Sequence, residues 1–245
     1  LLQEQGGLNS GLMKLLMEHQ FDNLSLLYRL YKFNGEDSLK PIAAIFKSHV
    51  ILRGKTLVES VETTTDGKTL SMKEVLSKSN IIDKLIELLF HFQKIVRECF
   101  NSEPIFSRQL QLAFQVFMNL DMGEYTLSEL LALHTDKILR KGGLKGNEIS
   151  YEEIIEQIVA LFSHLVDKDL FIVVFKNMFA RRLLAEKSED IEYEKLLITK
   201  LKVNCGFSSL ESLGGMLADL NLTKEESKAF DESKPPSEET NKIAI

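Results

Sequence analysis

Tryptophan is absent from this chain of 245 residues, and proline, glycine and cysteine are scarce. The four prolines include Pro235 and Pro236 near the C-terminal end, so only Pro41 and Pro104 interrupt the body of the chain. With 13 glycines besides, breakers are too few for a strand-and-turn architecture, and long helices are favoured. Two cysteines, Cys99 and Cys205, stand far apart with no CxxC spacing. That excludes a disulfide framework and fits a reducing compartment, cytoplasmic or nuclear. No run of about 18 apolar residues occurs, so no transmembrane helix is expected. No basic, apolar, small-residue leader opens the sequence. The chain starts Leu1-Leu2-Gln3 without Met, and it reads as a piece of something longer.

What is present is ordinary for a soluble globular protein: 44% hydrophobic and 27% charged residues. The net charge of −6 argues against a dedicated nucleic-acid binder. Apolar spacing is helical nearly throughout. The pattern predicts helices over 11–33, 39–62, 71–100, 103–120, 126–141, 150–166, 168–187 and 190–205. The first is expected to break near Asp22-Asn23, and Ser38 and Pro41 to open the second. Thr63 to Gly67 reads as a loop, and Gly142 to Gly146 as a helix terminator with a left-handed glycine cap. Ser150 and Glu153 form a capping box, followed by Ile154, Ile158, Leu161 and Leu165 as one apolar stripe. The only β-rich run, Ile172-Val173-Val174, sits among helix formers. No short fixed repeat is visible, which argues against TPR or ankyrin arrays. The Pro-, Ser- and Glu-rich residues from 231 onward read as a disordered tail.

Chemistry is hard to find. None of the five histidines (His19, His49, His91, His134 and His164) pairs with a His or Cys at helical zinc-site spacing. The one Gly-rich loop lacks the phosphate-cradle pattern, and GxSxG and HExxH are missing. Cys99 and Cys205 read as core cysteines, and no catalytic, cofactor-binding or metal-binding residue is assigned. The ambiguous segment is basic: Arg181, Arg182, Lys187, Lys195, Lys200 and Lys202, interleaved with Glu186, Glu189, Asp190, Glu192 and Glu194. A solvated face laced with i,i+4 pairs is the plainest reading. A docking face for an acidic partner is the sharper one, built on Arg181, Arg182, Lys195, Lys200 and Lys202. A nucleic-acid groove lacks aromatic interleaving.

The stretch from Asp167 to Gly206 is more specific than any single motif. It carries Asp167-Lys168-Asp169, Phe171, Phe175, Ala180-Arg181-Arg182-Leu183-Leu184, Ser188-Glu189-Asp190, Glu194, Lys200-Leu201-Lys202 and Cys205-Gly206. In order and spacing these resemble the cullin signature. Asp136 to Lys141 looks like the family's Asp-x-x-Leu-basic-Lys segment, and the residues after Gly206 to Phe230 are similar to its continuation. The family usually has Tyr where Phe175 stands and Leu where Phe179 stands.

The resemblance implies an all-α, elongated stack of helical cullin repeats leading into the first helices of a four-helix-bundle-type domain. It divides the chain into 1–35 (end of a preceding repeat), 36–166 (a repeat), 167–230 (start of the C-terminal helical domain) and 231–245 (tail). It implies a non-catalytic stalk of a ubiquitin ligase, with a RING-finger protein, a ubiquitin-conjugating enzyme and a substrate-receptor adaptor as partners of the longer protein. The RING and adaptor sites have no counterpart in this stretch, and neither nucleic acid nor membrane is implied. It assigns structural roles to Asp167, Lys168, Asp169, Phe171, Phe175, Leu183, Leu184, Cys205 and Gly206. Two other classes stay open: a helical-rod adaptor or tether outside ubiquitylation, and an all-helical enzyme.

Overall fold

Three helices start where a side chain satisfies an exposed first-turn amide. In the computed structural model Ser150 Oγ accepts from the Glu153 amide at 3.2 Å, and the Ser150 amide donates to Glu153 Oε2 at 3.4 Å. The same reciprocal box is formed by Ser71 with Glu74 and by Thr126 with Glu129. Pro104 stands in the first turn of its helix, where its missing N–H costs nothing.

The described residues are 11–61, 64, 65, 68–120, 122–144, 149–205 and 210–233. In order they form α1 (Gly11–Met17), α2 (Phe21–Phe33), α3 (Leu39–Glu59), β1 (Thr64–Thr65), β2 (Lys68–Thr69), α4 (Met72–Ser79) and α5 (Ile81–Cys99). Then come α6 (Pro104–Met118), α7 (Leu127–Leu139), α8 (Tyr151–Phe162), α9 (Lys168–Leu184), α10 (Ile191–Cys205) and α11 (Glu211–Ser233). A single 3-10 turn, Glu36–Ser38, precedes α3. The two short strands pair Thr64 with Thr69 and Thr65 with Lys68; of the expected 63–67 loop, Thr63, Asp66 and Gly67 lie outside the described residues. The β-branched run at 172–174 is helical, inside α9.

Several boundaries differ from the periodicity. The expected 71–100 helix is two helices, because Asn80 takes a left-handed backbone (φ 46). Its amide caps Leu76 O while its own carbonyl receives Lys84 N. Asparagine tolerates that conformation and so turns the chain without ending the apolar stripe. The first helix breaks at His19 (φ 54) rather than at Asp22-Asn23. Ser38 makes no cap bond and instead donates to the carbonyls of Tyr31 and Gly35. At the end of α7, Arg140 is extended and the left-handed glycine is Gly142, two residues later. Lys145 and Gly146 lie outside the described residues. α11 lies beyond the helices that periodicity predicted, and it runs to Ser233, into the segment expected to be tail; residues 234–245 lie outside the described residues.

Packing runs serially. α3 lies on α6 and α5, and α2 on α5. Next α5 meets α7 and α8, α7 meets α9, α8 meets α10, and α11 closes on α9 and α10. One connected hydrophobic cluster runs from Leu12 to Leu217. Its first half centres on Phe46, which meets Phe92, Phe100 and Phe106 edge to face at 5.6–5.8 Å. α3 and α6 approach closely enough that a Cβ on Gly54 would stand 2.2 Å from the Phe117 ring. The turn between α8 and α9 is held from below by Asn119, whose Oδ1 accepts from the Val166 amide at 2.8 Å.

Candidate functional site

The most concentrated polar chemistry lies where α7, α9 and α10 meet. On α9, Phe171, Phe175 and Phe179 recur every fourth residue, so their rings form one buried column. Successive centroids are 5.7 and 5.9 Å apart, and Phe162 of α8 tilts onto the first at 4.9 Å. Arg182 continues the same face. Its guanidinium carbon lies 5.7 Å from the Phe175 ring and 5.8 Å from the Phe179 ring. The residue is 1% exposed.

A buried guanidinium needs counter-charge and donors matched to acceptors. Both are present. Nε and Nη2 of Arg182 donate to the two carboxylate oxygens of Glu194 at 2.7 and 2.8 Å, a bidentate fork. Nη1 donates to Asp136 Oδ1. The other oxygen of Asp136 accepts from Arg140 Nε at 2.8 Å and pairs with its Nη2 at 2.7 Å. Ser188 Oγ donates to Glu194 Oε1 at 2.6 Å. Two positive and two negative groups thus close a neutral set, and Asp136 and Glu194 are buried with Arg182. The backbone reinforces it: Lys141 N donates to Lys187 O and Glu189 N to Leu139 O, both at 2.9 Å. This stitches the end of α7 to the α9–α10 loop.

This arrangement is a closed clamp. Each guanidinium nitrogen of Arg182 and each carboxylate oxygen of Asp136 and Glu194 is engaged. A cleft of about 430 Å³ between α4 and α7 reaches only the Asp136–Arg140 edge, beside Lys73 and Lys137. Burial pushes both the Cys99 and the Cys205 thiols up, away from nucleophilic thiolate. Among the described residues no group of His, Cys, Asp and Glu could hold a metal ion, and no helix is long and apolar enough to cross a membrane.

The residues expected to form a basic docking face do not gather. Arg182 is a correction: it is buried in the clamp and cannot touch a partner. Arg181, about 100° round the helix, is exposed and makes no ion pair among the described residues. Lys195 pairs with Glu192 at 2.7 Å, and Lys200 pairs with Glu156 of α8 on the other flank of α10. Lys202 is half-buried against Gly214 of α11.

The motif residues divide similarly. Asp167 and Asp169 bracket the start of α9, though Asp167 makes no side-chain cap bond. Lys168 Nζ reaches across to the Asn204 carbonyl at 3.1 Å and lies 5.6 Å from the Phe162 ring. A cation there suits the negative end of α10. Phe171, Phe175 and Leu183 are core. Leu184 is not: it is 86% exposed, one step past the buried face. Cys205 is half-buried and its Sγ donates to Leu201 O at 3.0 Å; Gly206 lies outside the described residues. The pairing of Asp136 and Glu194 with Arg182 was not read from the sequence. A signal for it existed, since Glu194 lies on the same face as Leu197, Ile198 and Leu201.

A serial all-α stack with one continuous core and its central charges bound internally defines a helical solenoid. The family described as the cullin alpha solenoid domain matches residues 2–227, and the chain belongs to the cullin family. It is 35% identical over 227 residues to Cullin-1 of Oryza sativa subsp. japonica and 33% identical over 227 residues to Cullin-2 of Arabidopsis thaliana; each match covers 91% of this chain and 30% of the relative. To Cullin-1 of Caenorhabditis elegans it is 30% identical over 233 residues, covering 90% of this chain and 28% of the relative. The chain therefore spans under a third of these relatives' length.

Proposed function

We propose that this chain is the middle of a non-catalytic stalk in a cullin-RING ubiquitin ligase. It would space a substrate-receptor end from an end that carries a RING-finger protein and a ubiquitin-conjugating enzyme. The observation that supports this most is the uninterrupted hydrophobic cluster from Leu12 to Leu217, with the Arg182 clamp at its C-terminal half. A spacer must resist bending, and close-packed cores transmit strain instead of absorbing it. The division at 166/167 fits this reading: α8 and α9 are joined by a short turn pinned to Asn119, not by a flexible linker. Arg181 is the residue of the proposed basic face with the clearest access to an acidic partner. The protein would work in the cytoplasm or nucleus.

The test is affinity purification of the longer parent protein. Co-purification of a small RING-finger protein, with ubiquitin-chain formation when a conjugating enzyme is added, is the expected result. A parent that forms a folded helical rod yet binds no RING protein would overturn the ligase reading in favour of a tether.

A further inference from the structure

Between the α1–α2 turn, α3 and α5 lies a cleft of about 280 Å³. Its polar lining is basic throughout: His19 from the turn, His49 and Arg53 one turn apart on α3, and His91 on α5, over an apolar floor that includes Leu16 and Phe92. The rings of His19 and His91 meet edge to face with centroids 5.2 Å apart. His91 and His49 each pack on Phe92, at 5.4 and 5.8 Å. His49 Nδ1 lies 3.1 Å from Met13 Sδ.

No carboxylate among the described residues lines this cleft. The charges that act on His49 and His91 are Arg53, Lys94 and the neighbouring imidazoles. Glu18, adjacent to His19, is taken by Gln20 at 2.6 Å and Lys14 at 3.7 Å, and Asp22 of α2 acts on Cys99 instead. Burial, then Arg53, holds His49 down at about 4; burial, then His19 and Arg53, lowers His91. The permanent charge of Arg53 beside three imidazoles, with no carboxylate in the lining, disfavours a cation and suits an anion. Arg53 presents a fork of N–H donors that matches a tetrahedral oxyanion. Each imidazole becomes a double donor once protonated.

We infer that this cleft binds a small phosphate-class oxyanion, held by Arg53 and the imidazoles of His19, His49 and His91. A bound dianion stabilises the charged imidazoles, so binding takes up protons. Phosphate itself gains a proton over the same range, so the affinity for the dianion rises as pH falls from about 7.5 to about 6, by up to roughly tenfold per unit for each proton the imidazoles take up. The inference is independent of the ligase reading, because it concerns only this cleft.

The test titrates inorganic phosphate into the protein by calorimetry at pH 6.5, in two phosphate-free buffers of different ionisation heat. Ionic strength is held with chloride. Saturation with Kd on the order of 1 mM or tighter is expected, with heats that differ between buffers by the net of the protons the imidazoles take up and phosphate gives up. Arg53→Ala and His91→Gln should each weaken binding at least about fivefold. In the unaltered protein, phosphate should move the NMR C–H signals of His19, His49 and His91 and leave those of His134 and His164 in place. No saturation by about 20 mM, or binding undiminished by Arg53→Ala in a folded variant, would overturn the inference. If either variant melts early, the histidine signals of the unaltered protein decide it.

Discussion

Replacing Arg182 by Met should be among the most damaging single changes in this protein. The side chain length is kept and the aliphatic stem still covers Phe175 and Phe179, so little packing is lost. What goes is the guanidinium: two bonds to Glu194 at 2.7 and 2.8 Å and one to Asp136. Asp136 keeps Arg140, but buried Glu194 keeps only Ser188 for a full negative charge. An uncompensated buried charge of this kind costs about 3–5 kcal/mol. That is a large share of a typical folding stability of about 5–15 kcal/mol. For a chain of this size it corresponds to a fall in Tm of about 6–20 °C. Thermal melts by circular dichroism measure it directly.

The reasoning also fixes the sign of a coupling. Glu194→Gln alone leaves Arg182 short of a counter-charge, whereas Arg182→Met with Glu194→Gln removes the isolated charge and leaves the neutral Asp136–Arg140 pair. The double variant should therefore lose less than the sum of the singles, by about 1–3 kcal/mol. A loss below about 1 kcal/mol for Arg182→Met, or strict additivity in the cycle, would refute the clamp.

Other expectations follow from single contacts. Gly54→Ala should lower Tm, because the Phe117 ring must move from a Cβ placed 2.2 Å away. Overpacking of about 1–3 kcal/mol outweighs the helix-propensity gain of up to about 1 kcal/mol, and an unchanged Tm would contradict the close α3–α6 crossing. In phosphate-free buffer, NMR titration should show His49 and His164 protonating near pH 4, well below an ordinary imidazole, because burial keeps both neutral. Their folded values lie below the unfolded one, so their contribution to stability is complete above about pH 6.5 and is lost as pH falls toward about 4. Ordinary midpoints for both would refute it. On the proposed ligase reading, Arg181→Glu in the longer parent protein should slow ubiquitin-chain formation at low salt and approach the unaltered rate at high salt, where steering is screened. Equal rates at both salts would leave Arg181 as a solvated surface residue.

Helical identity was legible in the residues because it rests on local facts. Scarce breakers, apolar recurrence and a Ser150–Glu153 box each act within a few positions, and the boxes at Ser71 and Thr126 obey the same rule. The start of α9 beside Asp167 was legible for that reason too. The break at Asn80 was not, since the apolar stripe runs on through it and only the backbone turns. Helical phase further requires that Arg181 and Arg182 point about 100° apart, so one of the two must leave any shared face. Which one leaves depends on Asp136 and Glu194, 46 and 12 residues away along the chain. The same limit hid the exposure of Leu184, the seat of Phe117 against Gly54 and the meeting of three histidines from three elements. Periodicity specifies the angle between neighbours on one helix, and only the packing of other helices decides which side of it becomes the inside.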